Sequence, residues 1–190
     1  MNWLIAGLVL FLGAHSVRIF APNWRAGVIA RLGDGAWKGL YTLASLAGFA
    51  LIIHGYGIAR GGAPLYAAPP GLVHATFGLV FLAFILIVAA YWPANHIKHA
   101  VRDPMVAGVG LWAVGHLLVN ATPAALALFG SFLVWAVVDF LSLRRRGSSP
   151  GAAPRAINTV LVVITGAVLA AVFAHWLHLW LIGVSPLASM

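Results

Sequence analysis

The chain has 190 residues, 63% of them hydrophobic and only 7% charged, and a mean hydropathy of +1.00, which excludes a soluble domain and reads as an integral membrane protein. Without cysteine there are no disulfides, thiolate metal sites or cysteine nucleophiles. The acids are Asp34, Asp103 and Asp139 with no glutamate, so paired-carboxylate and di-iron carboxylate chemistry lose their basis.

Six stretches are long and apolar enough to be membrane helices: Asn2–Ala21, Trp37–Ile58, Gly71–Trp92, Pro104–Asn120, Pro123–Leu143 and Ile157–Gly183. The fold expected is an all-α polytopic membrane bundle of six transmembrane helices, forming a single domain over residues 1–190. The net charge of +8 follows the connections. Arg18, Arg25, Arg31, Lys38, Lys98, Arg102, Arg144, Arg145, Arg146 and Arg155 fall in or beside the first, third and fifth connections, and Arg60 alone lies opposite. That bias puts the basic loops in the cytoplasm and both termini in the periplasm of a bacterial inner membrane. The basic residues are accounted for by insertion and contact with the lipid bilayer, and nucleic acid is not expected as a partner.

The first helix lacks a basic start and a small-residue cleavage pattern, so it is expected to be retained rather than removed as a signal peptide. It carries His15 deep in the span and Arg18 one turn later. Arg18 either snorkels to the headgroups or neutralises an anionic group bound beside His15. The stretch APNWRAGVIARLGDGAWKG reads as a basic, glycine-punctuated surface loop with Trp24 and Trp37 at the interface and Asp34 in a turn.

Helix two has Ala44 and Gly48 at the spacing for close helix approach, and His54 near its outer end. GIARGGAPLYAAPPG is an irregular or re-entrant connector. His74 opens helix three. His96 and His99 follow in PANHIKHAVRDP, which reads as a solvated basic loop, a metal chelate being the alternative.

Helix four begins at Pro104 after Asp103, a first-turn proline preceded by an N-cap residue. Gly108 and Gly110 thin it. Trp112, His116 and Asn120 stand at four-residue steps, so they share one face. NATP turns directly into helix five, where Asp139 is expected to pair with Arg144–Arg146. RRRGSSPGAAPR is a flexible linker by composition. Helix six has a small-residue stripe, Gly166, Ala170 and Ala174. His175 and His178 near its outer end read as interfacial, or with His54 and His74 as an outer metal site.

An imidazole at bilayer depth must find a partner. His15 lies twelve residues after Trp3 and His116 twelve after Pro104, each about 18 Å along its helix. In antiparallel helices crossing a layer of about 30 Å, their depths differ by about 6 Å. Both rings then grip one iron as neutral ligands of a b-type haem, although paired mid-membrane histidines also suit transporters.

The segments LGAHSVRIFAPNWR, WKGLYTLASLAGFALIIHGYGIAR and RDPMVAGVGLWAVGHLLVN resemble the NnrU family of bacterial membrane proteins, from His15 through helix five. That family is similar to zeta-carotene isomerase, a haem b membrane enzyme. The resemblance implies haem b iron on His15 and His116; with it, Arg18 or Arg25 is expected near the propionates, and Trp112 and Asn120, on the face of His116, are expected to bind the cofactor. His54 matches a further histidine. The family's Arg-His-Pro is here Arg102-Asp103-Pro104, and no glutamate fills the acidic position of the membrane methyltransferases that share the motif. The implied activity is redox-dependent, on a lipid-soluble polyene or nitric oxide. The family's link to denitrification implies the other reading, a non-enzymatic factor supporting nitrite or nitric oxide reductases.

Overall fold

In the computed structural model, residues 1–69, 71–147 and 152–189 are described; Pro70 of the outer connector and 148–151 of the fifth lie outside them. The spans are α1 (Asn2–Phe20), α3 (Asp34–Ala59), α4 (Leu72–Tyr91), α6 (Pro104–Val119), α7 (Pro123–Arg146) and a last one running from α8 (Ala156–Val172) through a π-helical turn (Phe173–Leu177) into α9 (His178–Ile182). Two shorter helices, α2 (Pro22–Leu32) and α5 (His96–Val101), lie between spans. Among the described residues the regular structure is wholly helical. Five spans meet the length and hydropathy of a bilayer crossing. The sixth, α6, has 16 residues, about 24 Å at 1.5 Å per residue.

The helices neighbour one another in the order α3, α1, α7, α6, α4, α8. Three pairs pack tightly because glycines remove the side chains between them. A Cβ on Gly48 would lie 2.8 Å from the Phe11 nitrogen, and one on Gly7 2.7 Å from that of Ile52, so α1 and α3 meet backbone to backbone. A Cβ on Gly108 of α6 would lie 2.9 Å from the Ala83 carbonyl of α4, and one on Gly166 of α8 2.7 Å from Ile85 Cα of α4. At Gly110 it would meet only Ala136, at an ordinary contact distance. The main core joins Leu4, Leu8, Ile52, Ala113, Leu128 and Phe129 from α1, α3, α6 and α7. A second core joins Ile85, Ala89 and Val162. Large apolar side chains elsewhere, such as Leu43, Leu46, Val134 and Ile164, stand exposed, as a lipid-facing surface requires.

Three expectations need correction. The first connection is a helix: Pro22 starts α2 at a position where its missing N–H costs nothing, and Asp34 begins α3, its carboxylate 2.5 Å from Lys38 one turn on. The third connection is ordered. Asn95 caps α5, Arg155 N–H donates to the Ala94 carbonyl, and His96 meets Thr159 Oγ1 at 2.9 Å. Asp103 holds the N-cap position of α6, yet its carboxylate faces Arg144 Nε at 3.9 Å. By contrast, Asp139 lies 3.5 Å from Arg146 as anticipated, and the turn into α7 is tight, Thr122 Oγ1 accepting from Ala125 N–H at 3.2 Å.

Candidate functional site

At the basic end of the bundle, α1, α3 and α7 converge on His15. Its Nδ1 lies 2.7 Å from the Phe11 carbonyl one turn earlier. A carbonyl only accepts, so Nδ1 carries the proton and Nε2 keeps its lone pair. Phe11 stacks on the imidazole at 4.2 Å between centroids. Tyr41 from α3 stands at 5.1 Å, and Trp135 from α7 meets the ring edge-on at 6.0 Å. Beside them opens a cavity of about 270 Å³ whose wall includes His15, Arg18, Arg25, Trp37, Lys38 and Tyr41. Arg25 lies over the Trp37 ring, 5.5 Å from its centroid. Three cations and an imidazole around one hollow make a receptor for carboxylate or phosphate.

Near the opposite end, His116 repeats the same internal bond: its Nδ1 is 2.9 Å from the Trp112 carbonyl. Its ring stacks on Phe129 at 4.6 Å, and Trp112 lies at 5.1 Å. Asn120 shares this face but spends its amide on the helix end, donating to the His116 carbonyl at 2.9 Å. The connector between α3 and α4 closes over that end. Tyr66 donates to the Leu117 carbonyl, Leu65 N–H bonds the Ala121 carbonyl, and Thr76 Oγ1 donates to the Gly115 carbonyl at 2.8 Å.

The shortest run of ring contacts from His15 to His116 passes through Phe11, Phe132 and Trp112. Phe132 touches both Phe11 and Trp112, at 5.7 and 5.4 Å. His15 is one turn after Phe11 in α1, and His116 one turn after Trp112 in α6. Three rings in series thus link the two imidazoles. An iron shared by both needs ligating nitrogens about 4 Å apart, twice a metal–imidazole bond. The donor chemistry of haem fits at His15, which lines one cavity with Arg18, Arg25 and Lys38, cations suited to propionates.

The remaining histidines are dispersed. His54 meets Trp3 edge-on at 6.3 Å, His175 Nδ1 lies 2.9 Å from the Ala171 carbonyl, and His178 Nδ1 lies 2.6 Å from the Val184 carbonyl. Among the described residues no three of His, Asp, Glu or Cys form a metal-sized group, so the four-histidine site of His54, His74, His175 and His178 does not assemble.

Sequence reading missed Tyr41 and Trp135 as neighbours of His15. The signal for α7 was present, since Trp135 and Asp139 sit four residues apart in an otherwise apolar helix. Nothing in the spacing tied them to α1.

Against known proteins, residues 3–186 match the family model described as NnrU protein. No curated protein and no solved structure matches the chain.

Proposed function

The chain belongs to the NnrU family, and from that premise we propose that it is a haem b-binding protein of the bacterial inner membrane with His15 as axial ligand. The observation that carries this is the His15 ring itself. Its Nδ1–H is committed to the Phe11 carbonyl, which fixes the tautomer and ring orientation as partners of metal-bound histidines do. The same residue lines a cavity with Arg18, Arg25 and Lys38 in the wall.

Arg18 and Arg25 pair the propionates, while Phe11, Tyr41 and Trp135 supply an apolar wall. Haem b held by one histidine supplies one-electron redox chemistry and an open coordination position for a small ligand. That capacity suits both activities implied by resemblance, isomerisation of a lipid-soluble polyene and handling of nitric oxide.

The test is the absorption spectrum of protein purified after expression with ample haem, beside His15→Ala and His116→Ala. A Soret band lost in His15→Ala and kept in His116→Ala is expected. Absence of the band in wild type overturns the reading. If co-purification then recovers a nitrite or nitric oxide reductase, indifferent to His15→Ala, the non-enzymatic assembly role replaces it.

A further inference from the structure

Residues of α1 and α7, Trp135 among them, line a groove of about 530 Å³. Its wall runs along α7 from Leu126 to Val138, twelve residues or about 18 Å, and is completed by Leu12, Ser16 and Phe20 of α1. Val134 and Phe20 on its rim are 65% and 74% exposed, so in a bilayer the groove opens sideways to lipid. A Cβ added at Gly130, also in the wall, would meet nothing within 4 Å.

Two polar groups distinguish this trough from ordinary lipid-facing surface. Ser16 and Ser131 line it from opposite helices, and among the described residues neither hydroxyl has a hydrogen-bond partner. Serine at bilayer depth ordinarily bonds the carbonyl one turn back, as Thr76 does to Leu72 at 3.0 Å. Donors left open in hydrocarbon are costly, and a ligand bearing acceptors relieves them.

We infer that this groove binds the ring of a membrane quinone. Its two carbonyl oxygens accept from Ser16 and Ser131, its flat ring packs against Trp135, and its isoprenoid tail lies in the apolar trough. Acyl chains fill the trough equally well but bring no paired acceptors on a flat ring. The placement also sets the ring one side chain from His15, since Trp135 meets that imidazole edge-on at 6.0 Å. Binding does not depend on the haem reading.

The test uses the full chain in nanodiscs, expressed with and without added haem, titrated with a decyl-tailed benzoquinone and followed by tryptophan quenching. Decylbenzene is the competitor lacking carbonyls. Gly130→Leu projects into the trough from a position where a Cβ meets nothing within 4 Å and is expected to weaken binding at least tenfold; Ser16→Ala with Ser131→Ala is expected to weaken it about fivefold to 150-fold, the range for two lost hydrogen bonds. Wild-type affinity in both variants overturns the proposal, as does equal competition by decylbenzene, which would assign the trough to lipid chains. The haem spectrum of Gly130→Leu is expected to be unchanged, so a failed quinone titration and a missing Soret band are separate results.

Discussion

Gly55 of α3 faces Leu4 of α1 so closely that a Cβ on the glycine would lie 2.3 Å from the Leu4 backbone nitrogen. No side chain can move aside there, because the obstacle is main chain. Gly55→Val must therefore part the helices and open the core around Leu4 and Ile52. The expected loss exceeds the roughly 1–3 kcal/mol of ordinary overpacking. Thermal denaturation in detergent measures it, with Gly57→Val as control, since a Cβ there meets nothing within 4 Å. Equal midpoints for the two variants would mean that α1 and α3 are not packed this way.

The contrast between Gly48 and Gly55 shows how far the sequence could be read. Gly48 stands four residues after Ala44, a spacing visible in one helix. Gly55 and Gly7 matter only through their partners, and pairing of α1 with α3 is not written in either segment alone. The six spans were legible because bilayer thickness dictates their length. Helix α2 was not, because its glycines and charges mimic a loop while Pro22 marks a helix start. His15 and His116 were recognisable as unusual, but the ring contacts that link them run through Phe132 of a third helix, which neither segment reveals.

Asn95 supports a second prediction. Only 1% exposed, it donates to the carbonyls of Ala89 and Trp92 at 3.0 and 2.7 Å and accepts from Lys98 N–H at 2.7 Å. Asn95→Ala strands two carbonyls and an N–H, at a cost of roughly 2–4 kcal/mol. Asn95→Asp keeps the cap but turns a carboxylate toward two carbonyls, so it should do no better than alanine. Detergent melts of the three proteins decide this. An Asn95→Asp protein as stable as wild type would show that the donated bonds contribute nothing.

Arg60, isolated from the other basic residues, has a structural explanation. Its guanidinium donates to the Ile182 carbonyl at the end of α9, where a cation also complements the helix dipole. Arg60→Ala should fray that end, raising hydrogen exchange of the Leu181–Gly183 amides about tenfold for a loss near 1.4 kcal/mol. Arg60→Lys keeps the charge and should recover part of the protection. Exchange unchanged in Arg60→Ala would indicate that α9 is held by packing alone.

Phe132 separates one-histidine from two-histidine ligation. It is the ring that touches both Phe11, stacked on His15, and Trp112, beside His116. With it in place, His15 alone is expected to hold iron, and resonance Raman spectra of the reduced protein should carry five-coordinate marker bands. Phe132→Ala removes most of a phenyl ring from that seam, at roughly 3–5 kcal/mol of stability, and gives Trp112 room to swing away from His116. Iron in this variant should then shift toward six-coordinate, low-spin bands, and the added His116→Ala should reverse the shift. If wild type is already six-coordinate and loses those bands on His116→Ala, both imidazoles hold the iron and one-histidine ligation is overturned.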